Sequence, residues 1–185
     1  MSHDGNDISE GGDPDCDNAA VRQFAARVSA RNERGLGLPE VVTELLPTLL
    51  GDAGVVRPEF RRPIADGYAR YPLYRHPSGL FSIQVMVFGP GMATPIHDHR
   101  SWCVVGVHEG EERETSFTVV GENEGQRVVA TGSRIMRCGD VCCHYPDRPN
   151  IHRVENASPQ VSISLHIYGF DTAYVKSSIA RQYSP

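Results

Sequence analysis

From about Tyr68 to Tyr168 the chain is written as short runs rich in Val, Ile, Phe, Tyr and Thr, separated by clusters of Gly, Pro, Asn and Asp. That punctuation is the signature of an all-β region. It places strands at 67–75, 80–89, 92–99, 102–109, 111–121, 126–137, 140–145, 151–156 and 160–168. Strands this short, following one another without helical interruption, fit a jelly roll or barrel better than an α/β fold, in which strands alternate with helices.

Before that region the periodicity is helical. Val21, Phe24, Ala25 and Val28 recur at three- and four-residue steps within 19–34, after Asp17 and Asn18 as candidate caps and before Gly35 and Gly37 as terminators. Pro39 opens a second helix, in which Val41, Val42, Leu45, Leu46, Leu49 and Leu50 share a face. Pro47 is expected to kink or shorten it. The expected fold is therefore mainly β, with two N-terminal helices.

The first eighteen residues carry Asp4, Asp7, Glu10, Asp13, Asp15 and Asp17 without a Lys or Arg, which exceeds the whole formal charge of -5. The expected organisation is a disordered acidic tail over 1–18 and one domain over 19–185, with a helical part at 19–52 and a barrel at about 60–175. A nearly neutral body carries no electrostatic footprint for nucleic acid. No run approaches membrane-spanning length and no signal-peptide pattern opens the chain, so a cytoplasmic protein with no membrane partner is expected. A chain of 185 residues buries a full core on its own, which makes a monomer sufficient. Cys16, Cys103, Cys138, Cys142 and Cys143 are odd in number and irregular in spacing, as reduced thiols would be.

The chemistry gathers on three histidines. In a strand, residues i and i+2 face one way, so His97 and His99 look inward together while Asp98 looks out. His152 brings a third imidazole from a distant strand. Three neutral imidazoles suit Zn, Fe, Ni or Cu. Ser164, His166 and Tyr168 alternate along a further strand and share a side. Arg100 is expected to face away from His99. His76 and His108 lack partners at ligand spacing and read as structural. Cys138-x-x-x-Cys142-Cys143-His144 lacks the Cys-x-x-Cys spacing of structural zinc and reads as strand packing.

Gly91, His97-x-His99, Cys103 and Gly110, in that spacing, resemble the first motif of the cupin superfamily, with cysteine where most cupins carry a metal-binding glutamate. His152-x-x-x-Asn156 resembles the second motif. The exchange of carboxylate for thiol resembles the thiol dioxygenases, the branch typified by cysteine dioxygenase. Segments 152–156 and 162–168 are similar to that family as well. The resemblance covers roughly residues 60–172 and implies a cupin-type double-stranded β-helix with Fe(II) on His97, His99 and His152. It further implies a Ser164, His166, Tyr168 relay and a potential thioether between Cys103 and Tyr168. Tyr68-Ala69-Arg70 resembles the family's Tyr-x-Arg, whose arginine grips the substrate carboxylate, a role that suits a planar fork of donors. Met86 and Phe88 fall where the family lines its pocket.

The implied activity is oxidation of a small carboxylate-bearing thiol, L-cysteine foremost, by O2 to a sulfinic acid. Alternatives are 3-mercaptopropionate, mercaptosuccinate or another thiol. Arg70 argues against cysteamine, and a dicarboxylate would need a second cation such as Arg75 or Arg153. From another class, the chain fits a non-catalytic metal-binding cupin.

Overall fold

The structure is a computed structural model that describes residues 18–121, 127–172 and 177–184; the acidic tail lies outside the described residues. Two helices lead, α1 (Ala19–Asn32) and α2 (Leu38–Leu50), followed by a 3-10 turn at Pro58–Arg61. Ten strands come next: β1 (Tyr68–Arg75), β2 (Ser82–Phe88), β3 (Ile96–His99), β4 (Cys103–Glu109), β5 (Glu111–Val120), β6 (Arg127–Arg137), β7 (Val141–His144), β8 (His152–Asn156), β9 (Ser162–Tyr168) and β10 (Ile179–Tyr183). They form two five-stranded sheets, ordered β1-β2-β9-β4-β7 and β10-β3-β8-β5-β6, with antiparallel pairing throughout. This is a mainly β double-stranded β-helix of the cupin type.

Strand alternation explains how the first sheet holds both a core and a site. On β9, Ile163, Leu165 and Ile167 join a hydrophobic cluster with the helices, together with Ile83, Val85 and Val87 of β2 and Val104 of β4. The intervening positions, Ser164, His166, Tyr168, Met86 and Cys103, turn to the barrel interior. All seven residues of β9 are buried as a result. From the helices, Val21, Phe24, Ala25 and Val28 meet Val42, Leu45, Leu46 and Leu49 in the same cluster.

Gly106 lets α2 lie flat on β4. A Cβ there would stand 2.7 Å from Leu50 Cδ1 and 2.9 Å from Leu46 Cδ2. Gly110 turns the chain from β4 into β5 with φ +78°, and a side chain there would also press on the Val161 carbonyl at 3.0 Å.

Asn18 caps α1 by accepting a hydrogen bond from the Val21 amide at 3.1 Å. Pro47, expected to kink or shorten α2, does not shorten it; the helix continues to Leu50. Leu46, Leu49 and Leu50 are buried in the same turn, and their packing outweighs the amide hydrogen bond that proline cannot make. β10 was not foreseen. Among the described residues β3 alone pairs with it, a long-range pairing with little local signal. Among the described residues, no helix is long and apolar enough to cross a membrane.

Candidate metal centre and pocket

The second sheet brings the histidines together. β3 and β8 pair with His97 opposite His152, and the strand period places His99 beside His97. One ring nitrogen from each lies within 4.8 Å of the others. All three residues are buried. His97 Nδ1 donates to the Pro95 carbonyl at 2.9 Å and His152 Nδ1 donates to Glu114 Oε1 at 2.9 Å. Both rings therefore keep Nε2 as a bare acceptor, oriented by the hydrogen bond behind it.

Burial pushes the His97 imidazolium down to about 3, with His152 adding repulsion. Burial likewise holds His99 well below its ordinary range and lowers His152. All three rings are thus neutral near pH 7, the form that binds a metal. His99 Nε2 lies 3.0 Å from His152 Nε2, and His99 Nδ1 is buried without a hydrogen-bond partner. Two ring nitrogens facing each other this closely suit two ligands that would be held by one ion. The residues fit a metal, and three imidazoles are a donor set that iron accepts.

Sequence reasoning missed the group behind His152. Glu114, on the interior face of β5, accepts from His152 and, through the same Oε1, from His144 Nε2 at 2.8 Å. Its Oε2 accepts from Arg134 Nε at 2.7 Å and from the neighbouring guanidinium nitrogen. Burial alone would raise this carboxyl, but the His144 and His152 hydrogen bonds outweigh it and hold it far below the usual range. Glu112 and Glu114, alternating on a strand otherwise built to be half buried, were the available signal. His144 stands 4.3 Å from His152 ring to ring. With Glu114 and Cys142 it forms a second group whose ligand atoms lie within 4.8 Å of one another, so this histidine is polar structure rather than simple strand packing.

The first sheet faces the histidines across a cavity of about 310 Å³ of empty space, partly open to solvent, whose lining includes Tyr68, Arg70, Met86, His97, His152 and Tyr168. His166 and Ser178 also reach it. Ser164 Oγ is 3.0 Å from His166 Nε2, and His166 Nδ1 is 3.3 Å from Tyr168 Oη. Burial pushes the Tyr168 phenol well up, Cys103 adds to this, and Ser178 and Arg70 oppose it. The phenol therefore keeps its proton. Cys103 pairs with Tyr168 in the β4/β9 register, and the phenol acts on its thiol. Burial raises its thiol well above the ordinary range.

Phe88 does not line the cavity, contrary to its expected place. It stacks on Tyr68 at 5.2 Å from behind, one strand repeat beyond Met86. Arg75 and Arg153 are outside the cavity too, paired with Asp171 and Glu155. Arg100 faces out, with Nε on the Ile179 carbonyl. His76 bonds Ser29, and His108 bonds the Leu50 carbonyl. Asp98 looks away from the rings but is covered by β10, where Arg181 and Tyr183 donate to it.

The family model for cysteine dioxygenase type I matches residues 65–176. Human cysteine dioxygenase type 1 is 30% identical over 118 residues, 58% of each chain. The Danio rerio protein of that name is 27% identical over 110 residues, 55% of this chain and 54% of its own. The chain thus spans little more than half the length of these curated relatives. A Klebsiella pneumoniae protein with a double-stranded β-helix domain superposes with a TM-score of 0.47 at 18% identity, over 66% of this chain and 94% of its own.

Proposed function

Because the chain belongs to the cysteine dioxygenase type I family, we propose that it is a non-haem Fe(II) thiol dioxygenase that converts a small thiol bearing one carboxylate, L-cysteine foremost, to the sulfinic acid with O2. The observation that carries this reading is a cavity with His97 and His152, two of the three clustered neutral imidazoles, on one sheet and Arg70 with Tyr168 on the other. Both oxygen atoms join sulfur in the net reaction R–SH + O2 → R–SO2H, which needs no organic cosubstrate.

His97, His99 and His152 hold the iron, which when bound supplies the Lewis acidity that favours a thiolate and the redox chemistry toward O2. Arg70 is the sole Lys or Arg among the described lining residues. It binds the carboxylate as a fork of two donors and orients the thiol toward the histidines. Tyr68 packs beside that contact, with Phe88 fixing its ring. Met86, opposite Arg70 in the β1/β2 register, lines the same wall beside it. Tyr168 holds its proton on Oη at the cavity surface, steadied by His166 and Ser164. One arginine at the site favours a monocarboxylate over mercaptosuccinate, since Arg75 and Arg153 are engaged elsewhere. A thioether between Cys103 and Tyr168 forms with loss of two hydrogens to O2, and an intact-protein mass lower by those two hydrogens reports it.

The reading is tested by O2 uptake of the iron-loaded protein with cysteine, 3-mercaptopropionate, mercaptosuccinate and cysteamine. Cysteine turnover is expected and cysteamine turnover is not. Iron-bound protein silent toward every thiol would leave the metal-binding cupin as the better description.

A further inference from the structure

Glu112 sits two residues before Glu114 on the interior face of β5, yet its surroundings are the opposite. It is 1% exposed, and neither of its carboxyl oxygens makes a hydrogen bond of ordinary length and angle. The Ser162 hydroxyl is likewise buried and unpartnered. The Ser164 and Ser162 hydroxyls of β9 face the carboxyl, Cys142 approaches from β7, and Met136 of β6 and Asn156 of β8 are its register partners. Glu114 is the charged group that acts on it, and that charge opposes a second negative one. A bare carboxylate in such a place is costly, so the group holds its proton to a higher pH than an exposed carboxyl does. Burial pushes it up to about 7.

Ser164 is already joined to His166, and His166 to Tyr168. A chain of hydroxyl, imidazole and hydroxyl can run in either direction, and the group at its far end decides which.

We propose that Glu112 is the fourth member of this relay, a positioning residue whose carboxyl proton sets the direction of the chain and makes the Tyr168 hydroxyl a donor into the cavity. With the proton present, the carboxyl O–H turns onto the Ser164 Oγ that faces it and donates there. Ser164 O–H then donates to His166 Nε2, His166 Nδ1–H donates to Tyr168 Oη, and the phenol O–H is left for the cavity. With Glu112 ionised, each bond reverses: Ser164 donates to the carboxylate, His166 Nε2–H to Ser164, and Tyr168 O–H to His166 Nδ1. The chain loses one proton, His166 changes tautomer without becoming charged, and Tyr168 offers the cavity only lone pairs.

The inference rests on the proposed function for its kinetic readout alone. The test uses the full iron-loaded chain with Glu112→Gln, which keeps the shape and donates from an amide at every pH, and Glu112→Leu, which donates nothing. Infrared difference spectra against Tyr168→Phe isolate the Tyr168 C–O stretch. In the parent it is expected to shift as pH rises through about 7, while a protonated-carboxyl band disappears. Both changes are expected to be absent in Glu112→Gln. In turnover, the parent kcat falls over the same pH range and Glu112→Gln loses that fall. Glu112→Leu drops kcat about tenfold, the worth of one hydrogen bond, with KM unchanged because Arg70 is untouched.

A Tyr168 stretch that ignores pH in the parent, or one that still titrates in folded Glu112→Gln, overturns the inference. If no thiol is turned over, the functional reading fails by itself and the infrared result still decides this one.

Discussion

Replacing Glu114 with Gln probes the support beneath the metal centre while leaving its volume unchanged. In the parent, Oε1 takes N–H donors from His144 and His152 at 2.8 and 2.9 Å, and Oε2 takes the Arg134 guanidinium. An amide offers one acceptor oxygen where two stood, and its NH2 must then face either the imidazoles or the arginine. Charge-assisted hydrogen bonds are roughly twice as strong as neutral ones, so even the better orientation weakens the hold on His152 Nδ1. Loss of such a partner costs about 10- to 100-fold in metal affinity, or roughly 1.4–2.7 kcal/mol. The Arg134 side chain is 54% exposed, so its pair with Glu114 is screened and adds little. Chelator competition for Fe(II), run on parent and Glu114→Gln at pH 7, measures the change. A folded variant that binds iron within about twofold of the parent would refute the claim that the carboxylate supports the ligand set. The sign with pH follows from the depressed carboxyl: its contribution is complete above about 4.3, the unfolded value, and is lost as pH falls further.

Arg70→Gln is expected to raise KM for cysteine about 10- to 100-fold, the loss of a charge-assisted carboxylate contact, with a smaller effect on kcat in steady-state assays. Leu46→Ala removes a fully buried side chain between α2 and β4; urea unfolding should show a loss of about 2–5 kcal/mol with the metal affinity retained. His166 is buried and its imidazolium is held down to about 3, chiefly by burial. Its depressed value means that the unfolded chain takes up a proton the folded one refuses. The share of stability that this group contributes is therefore complete above about 6.5 and declines by roughly 1.4 kcal/mol per pH unit below it; in urea titrations of the metal-free protein, His166→Gln should reduce the slope by that amount and leave the shares of His97, His99 and His152.

The parts of the fold legible in the sequence were those written in local patterns. Val21, Phe24 and Val28 announced α1, and the β-branched runs announced β1 to β9, because helix and strand periods are properties of neighbouring residues. β10 was hidden, since Ile179–Tyr183 is short, partly charged and, among the described residues, held in register by β3 alone. Pro47 misled because propensity is local, whereas the burial of Leu46, Leu49 and Leu50 that keeps α2 intact comes from the sheet.

The site divides in the same way. His97-x-His99 and Ser164-x-His166-x-Tyr168 could be read because strand spacing alone puts each set on one face. Glu114 and His144 could not, because their role depends on β5 and β7 coming up beside β8, a matter of barrel closure. Phe88 shares a strand face with Met86, and only the depth of the cavity separates the two.

The most direct measurement is single turnover of the iron-loaded protein with L-cysteine under ¹⁸O2, with mass analysis of the product. The account predicts a sulfinic acid in which both sulfur-bound oxygens carry the label. Iron-bound protein that leaves cysteine unchanged, or that yields a product labelled from water instead, would contradict it.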